Sequence, residues 1–155
     1  MSKTRSTDAA NAWRAMLVTF TSVHNQLADE LHEECGLPME HYEILLMLFE
    51  AGPEGLRPSE IADRRRLSRS GVTRLIDRLE GEKLVERRAC DDDRRGSVVG
   101  LSDAGRAVFT RAGRVHLAGI EHYVGGSLTT QEMAELEGLL KKVSLEPLSN
   151  GGSDD

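Results

Sequence analysis

The stretch Leu67-Ser-Arg-Ser-Gly-Val-Thr-Arg-Leu-Ile-Asp-Arg-Leu79 constrains the chain more than any other. Val72, Leu75, Ile76 and Leu79 recur at steps of three, one and three, which on a period of about 3.6 residues is one face of a helix. The other face carries Arg69, Ser70, Thr73, Arg74 and Asp77. Ser, Thr and Arg are side chains that hydrogen-bond base edges and phosphates, and here they gather near the front of the helix, where it would meet a major groove. Ahead of it, Pro58 to Arg66 reads as a shorter helix, with Ser59 as N-cap and Ile61 and Ala62 facing inward. Two short helices joined by a tight turn make a helix-turn-helix.

The next residues extend this pattern. Leu84 to Cys90 alternates like a strand, Asp91-Asp-Asp-Arg-Arg-Gly96 reads as a charged turn, and Ser97 to Leu101 as a return strand. A hairpin directly after such a helix is the wing of a winged helix. Arg94 and Arg95 at its tip suit a narrow, electronegative minor groove beside the major-groove contact.

Taken together, Leu67-Ser-Arg-Ser-Gly-Val-Thr-Arg-Leu-Ile-Asp-Arg-Leu-Glu80, Leu84-Val-Glu-Arg87, Asp93-Arg-Arg95 and Leu101-Ser-Asp-Ala-Gly105 resemble the multiple antibiotic resistance regulator (MarR) family of winged-helix transcription factors. The motifs occur in the family's order and spacing. The chain departs from the pattern at Lys83, where the family usually has the glycine that ends the helix in a left-handed conformation. Gly81 is the residue placed to take that role, two positions early.

Charge fits the same picture once it is divided. The whole chain carries −6, yet Arg57 to Arg95 holds 12 basic and 9 acidic residues, and Arg64 to Arg78 holds 6 basic against 1 acidic. Local charge opposes global charge, as expected where one face meets phosphates and the rest keeps the protein soluble. The 155 residues and 39% hydrophobic content are enough for one folded core with extensions. With few aromatics and an excess of Leu, Val, Ala, Ile and Met, the composition favours helix. No apolar run approaches a membrane span, and the N-terminus lacks the apolar segment of a signal peptide, so the protein is expected in the cytoplasm with no membrane partner.

On either side of the winged helix the sequence predicts long helices. The first runs from about Asp8 to Glu34, with Trp13, Leu17, Phe20, His24, Leu27, Leu31 and Cys35 as a stripe at steps of four and three, and Gly36-Leu-Pro38 ends it. A second, about Glu40 to Ala51, turns Ile44, Leu45, Leu48 and Phe49 inward before Gly52-Pro-Glu-Gly55. Ser102 caps a helix reaching about Tyr123 whose small face is Ala104, Val108, Ala112, Val115 and Gly119. After Gly125-Gly126, Thr129 and Glu132 form a capping box for a last helix, with Met133, Leu136, Leu139, Leu140 and Val143 apolar. The resulting division is a tail (1–7), a dimerisation helix (8–36), a winged helix-turn-helix (37–101), C-terminal dimerisation helices (102–146) and a disordered tail (147–155). The terminal helices carry more apolar face than one small core uses, which predicts a two-fold homodimer. The family resemblance implies the same. Two dyad-related recognition helices would read a roughly palindromic duplex site with half-sites about one turn apart, and the family's commoner mode is repression.

Ser68, Arg69, Ser70, Thr73 and Arg74 are the candidate major-groove residues, Arg74 being suited to guanine because its planar fork grips O6 and N7 together. Arg78 is placed to hold a phosphate or brace the wing, the other reading being an ion pair with Asp77 or Glu82. Asp93 is expected to fix the wing turn and aim Arg94 or Arg95. Of Arg64, Arg65 and Arg66, successive in a helix, only one or two can face DNA. The resemblance also implies a small aromatic acid as effector between the dimer helices and the winged helix, where Trp13, Arg14, His24, His41 and Tyr42 could line a cleft. Otherwise these residues are core packing or exposed. Cys35 and Cys90 leave open a redox- or metal-responsive regulator, but with neither HExxH nor CxxC spacing they read first as ordinary thiols, and no cofactor or metal is expected. No nucleophile, base and orienting group form a motif and no glycine-rich phosphate loop occurs, which argues against an enzyme. The remaining alternative is a winged helix used for contacts with protein or RNA.

Overall fold

The computed structural model describes residues 3–90 and 93–143, with side chains over 7–89 and 97–143. It is mainly helical: α1 (Lys3–Cys35), α2 (Met39–Ala51), α3 (Pro58–Arg65), α4 (Arg69–Gly81), the hairpin β1 (Val85–Cys90) and β2 (Asp93–Leu101), α5 (Asp103–Tyr123) and α6 (Thr130–Val143). This is the winged helix-turn-helix flanked by terminal helices that the sequence predicts. The chain divides into two compact units, Met1–Leu117 and Ala118–Asp155.

In the first unit the core gathers around α2 and α4. Ile44, Leu45 and Leu48 of α2 are buried together with Leu27 and Leu31 of α1, Ile61 and Ala62 of α3, and Val72, Leu75, Ile76 and Leu79 of α4. Leu84, Val85 and Val99 of the hairpin region, and Phe109 and Ala112 of α5, complete it. Each of the larger side chains among them contributes about 1.5–3 kcal/mol of burial, which holds the short α3 and α4 in place although neither would be stable alone. Phe49 is left partly exposed, its ring 4.6 Å from that of Phe109. The N-terminal stripe of α1 divides as its length suggests: Leu27 and Leu31 are buried, whereas Trp13 and Phe20 remain 61% and 66% exposed.

Several element ends differ from the sequence reading. α1 begins at Lys3, inside the stretch expected as a tail, because nothing between Lys3 and Asp8 breaks a helix. The N-cap of α3 is Arg57, not Ser59. Pro58 fits the first helical position, where its missing N–H is not needed, and Glu60 reaches back to accept the Arg57 N–H at 2.7 Å. β2 begins at Asp93, so the backbone of 93–96 is strand rather than turn, and a register shift between Ala89 and Cys90 absorbs the extra residues. Leu56 adds a third short edge, exchanging backbone hydrogen bonds of 2.9 and 2.8 Å with Val99. Residues 91–92 and the C-terminal tail expected to be disordered lie outside the described residues.

The end of α4 corrects the glycine assignment. Gly81 is helical and Lys83 itself takes the left-handed conformation, with φ 60. Lys83 N–H donates to Glu80 O and Leu84 N–H to Leu79 O, both at 2.9 Å, the paired bonds of a Schellman motif. A lysine is held there because Leu84, buried just beyond it, anchors the turn. α3 ends the same way, on Arg66 at φ 51.

Ser102 caps α5 as predicted, its Oγ accepting the Gly105 N–H at 2.9 Å. The inward face, however, runs through Gly105, Phe109 and Ala112, and Ala104 is exposed. Gly105 is required because a β-carbon on it would lie 1.8 Å from the Leu84 carbonyl oxygen, so the first turn of α5 packs directly on the start of the hairpin. In the second unit, Thr129 and Glu132 form the predicted capping box, with the Thr129 N–H 2.8 Å from the carboxylate. Val124, Met133, Leu136 and Leu140 there line a shallow apolar cleft.

Replacing Lys83 by glycine is expected to raise stability by about 1 kcal/mol, because it relieves a left-handed β-carbon. Gly81→Ala adds about 0.5–1 kcal/mol by lowering unfolded-chain entropy within a helix. Urea unfolding checks both, and a loss on Lys83→Gly would contradict the Schellman assignment. Gly105→Ala should lower the urea midpoint.

Candidate nucleic-acid interface

Burial of Val72, Leu75, Ile76 and Leu79 turns the rest of α4 outward. Arg69, Ser70, Thr73 and Arg74 are all exposed, so the helix presents two guanidinium groups and two hydroxyls within its first two turns. Ser68 is placed at the N-cap rather than in the helix, and its Oγ accepts the Gly71 N–H at 3.1 Å while lying 3.2 Å from Ser70 Oγ. Its hydroxyl therefore orders the helix start, the end with positive dipole that favours an approaching phosphate. Thr73 Oγ1 donates to the Arg69 carbonyl at 2.9 Å, leaving its lone pairs to face outward as acceptors.

The other arginines sort into distinct roles. Arg65 is turned back to an ion pair with Glu43 of α2, which removes it from a phosphate contact. Arg78 meets Glu40 of α2 at 3.9 Å, not Asp77 or Glu82 as the sequence suggested. Glu82 follows Arg78 by four residues, a little more than one turn, but the acid within 4 Å comes from another helix, which local spacing does not disclose. Asp77 and Glu80 are instead taken by Arg87 of β1, at 2.5 Å each. Arg88, on the opposite face of the same strand, donates to the Pro53 carbonyl at 2.8 Å. The side chains of Asp93, Arg94 and Arg95 lie outside the described residues, as does that of Cys90; the backbone of Asp93–Gly96 belongs to β2.

The candidate effector residues do not converge as a set. Trp13 is exposed on α1, and the eleven residues separating it from His24 place it about 16 Å away along the helix. His41 is 1% exposed and faces Glu82 at the end of α4, with Nδ1 3.6 Å from Oε2, so it belongs to the core beneath the recognition helix and not to a cleft. Its position at the start of α2, facing inward one residue before Tyr42, buries it. His24 and Tyr42 do come together with residues the sequence did not single out. His24 Nε2 lies 4.0 Å from Glu43, and the Tyr42 ring stacks on Phe109 at 5.7 Å and meets the tilted ring of His116 at 4.8 Å. Buried Nδ1 of His116 and Nε of Arg65 have no hydrogen-bond partner among the described residues. Phe109 and His116 lie on α5 outside the small apolar face that the sequence predicts there, so periodicity did not mark them. Cys35 is half-buried, its carbonyl accepting from Arg111, and no group of metal-ligating side chains occurs among the described residues.

Electrostatics mark the same cluster. Burial pushes His116 below its ordinary 6.5, with Glu43 opposing and His24 adding to the shift. Burial, and then Glu50, raises the Tyr42 hydroxyl above 10.0, so it stays protonated at neutral pH and is available as a donor.

Residues 36–96 match the sequence profile of the MarR family. An HTH-type transcriptional regulator from Bacillus cereus is 28% identical over 127 residues, 82% of this chain and 83% of the relative. Among solved structures, AbsC, a MarR family transcriptional regulator from Streptomyces coelicolor, is 29% identical with a TM-score of 0.76, covering 92% of this chain and 93% of that one. Sco3205, a MarR family transcriptional regulator from the same organism solved in complex with DNA, is 28% identical with a TM-score of 0.78, covering 89% and 91%.

His116 gives a pH dependence whose sign is fixed. Its folded value lies below its unfolded value, so the unfolded chain binds the proton more readily and stability falls as pH drops from about 6.5 through the lowered value. Below both values the penalty is constant. Urea midpoints of the wild type and His116→Phe at about pH 7.5 and 5 check this: the variant should lose less stability on acidification, and equal losses would contradict a buried neutral imidazole.

Proposed function

We propose that the chain is a winged helix-turn-helix regulator of the MarR family, a sequence-specific transcriptional regulator that reads a pseudo-palindromic site on double-stranded DNA as a homodimer. The observation that carries this reading is the outward face of α4, where Arg69, Ser70, Thr73 and Arg74 stand clear of the core beside a hairpin. A recognition helix of this composition supplies base-edge contacts, the N-cap end attracts phosphate, and the hairpin extends toward the neighbouring groove. Sco3205, similar over nearly its whole length, was solved bound to DNA. Its place of action in this reading is the compartment that holds the DNA, which in the bacterial relatives is the cytoplasm.

Homodimerisation is supported by apolar surface that each unit leaves uncovered. Trp13, Leu17, Val18 and Phe20 are exposed on α1, and Leu139 and Val143 on α6. Contiguous apolar surface of that kind marks an interface, and a second copy of the chain supplies the matching face by symmetry. Repression, the commoner mode of the family it resembles, is the proposed mode, because a dimer bound across promoter DNA obstructs transcription. Release by a small aromatic effector is supported by the junction of Tyr42, Phe109, His116, His24 and Glu43, which combines packed rings with the buried His116 Nδ1, an atom without a hydrogen-bond partner among the described residues.

Selecting bound sequences from a random duplex pool should enrich an inverted repeat with half-sites about one helical turn apart. Arg74→Ala should lose about 1–3 kcal/mol of discrimination at one position in each half-site. Recovery of no preferred sequence would contradict the proposal. Sedimentation should give a dimer for the wild type and a monomer for Leu17→Glu with Phe20→Glu; a variant that stayed dimeric would remove α1 from the interface.

A further inference from the structure

Two carboxylates stand where a DNA-reading helix has no evident use for them. Asp77 follows Thr73 and Arg74 by four and three residues, so it continues the exposed face of α4, and Glu80 lies a further three residues on. Repulsion between these acids and a phosphate backbone weakens any complex in which α4 enters the groove. Their geometry supplies the use. Arg87 of β1 donates Nη2–H to Asp77 Oδ1 and Nη1–H to Glu80 Oε2, each at 2.5 Å. One planar guanidinium is thus held at both ends by two acids on successive turns of α4. The hydrogen bond to Asp77 does most to hold the Arg87 pKa above its ordinary value; burial opposes it, and the charges of Glu80 and Asp77 add to the rise.

The strand position matters as much as the partners. Arg87 pairs in register with Val99, two residues along the hairpin from the Val85–Leu101 pair at its base. At its base the hairpin is fixed by Leu84, Val85 and the Leu56–Val99 exchange. Arg87 adds a tie from α4 to the hairpin on the outer side of the core. Without it, the angle between helix and hairpin is set from one side only. A specific complex needs both to enter adjacent grooves at once, whereas non-specific binding needs only positive charge.

We propose that Asp77, Glu80 and Arg87 form a clamp that fixes the wing at its working angle to the recognition helix, which makes Arg87 a positioning residue for operator recognition and not a phosphate contact. The proposal rests on the DNA-binding reading above. It also accounts for the retention of two negative charges on a surface that meets a polyanion: they exchange some electrostatic attraction for pre-organisation.

The clamp and simple electrostatics predict opposite signs for one variant. Asp77→Asn with Glu80→Gln removes two negative charges while keeping side-chain shape. Charge alone would tighten every complex. The clamp predicts that affinity for a scrambled duplex rises by about threefold while affinity for the sequence enriched from a random pool falls by about tenfold. Arg87→Lys keeps the charge but lacks the two-ended fork, so it should lose operator affinity with little change on the scrambled duplex. Thermal melts of each variant confirm folding, and a merely structural role would lower both affinities together with the melting temperature. Equal or tighter operator binding by the double variant overturns the clamp and leaves the DNA-binding reading standing. A wild type that binds no sequence in preference overturns both.

Discussion

Burial of Val72, Leu75, Ile76 and Leu79 fixes the roll of α4 about its own axis, and the chemistry of the exposed surface depends on that roll. A helix presents successive side chains about 100° apart, so a roll error of one residue would carry Arg74 toward the core and an aliphatic side chain toward solvent. The four buried groups prevent this, each at about 1.5–3 kcal/mol, far more than any surface ion pair contributes. The cation-rich face is therefore a consequence of core packing. Polar contacts refine its position but do not determine which residues point outward.

The polar contacts that refine it converge on α2. Glu40 meets Arg78 of α4, His41 faces Glu82 at the end of α4, and Glu43 holds Arg65 of α3 while lying 4.0 Å from His24 of α1. One helix thus touches the long N-terminal helix and both members of the helix-turn-helix through charged or titratable groups. This arrangement explains why a nucleic-acid-binding protein carries a net −6. Part of its acid content orients arginines, withdrawing Arg65 from the DNA face and steadying Arg78, while Arg69 and Arg74 stay exposed on α4. It also places His24 and His116, around Glu43, next to a side chain that bears on α3, which connects the Tyr42–Phe109–His116 cluster to the helix-turn-helix by direct contact.

The parts of this arrangement that were legible in the sequence are those written in local periodicity and local capping. The inward face of α4, the caps at Ser102 and Thr129, and the break at Gly36 to Pro38 all depend on residues within a turn or two of one another. What the sequence hid depends on distant neighbours. Lys83 takes a left-handed conformation normally left to glycine because buried Leu84 anchors the turn beyond it. The inward face of α5 passes through Gly105 rather than Ala104 because the Leu84 carbonyl leaves no room for a β-carbon. His41 reads as a surface residue at a helix start, yet α4 covers it. Arg78 finds its acid on α2 and Asp77 finds its base on β1, although Arg78 and Asp77 are adjacent in sequence and of opposite charge. Side-chain direction, one residue to the next, overrides that adjacency.

The central claim is that α4 occupies the major groove with the hairpin in the minor groove beside it, twice, across a dyad. Footprinting on an enriched duplex tests it most directly, combining guanine N7 methylation, which reports the major groove, with hydroxyl-radical cleavage, which reports the minor groove. The account predicts two clusters of N7 interference about one helical turn apart, each flanked on its outer side by a hydroxyl-radical-protected patch. Protection confined to the backbone, with no N7 position sensitive to methylation, would place α4 outside the groove and contradict it.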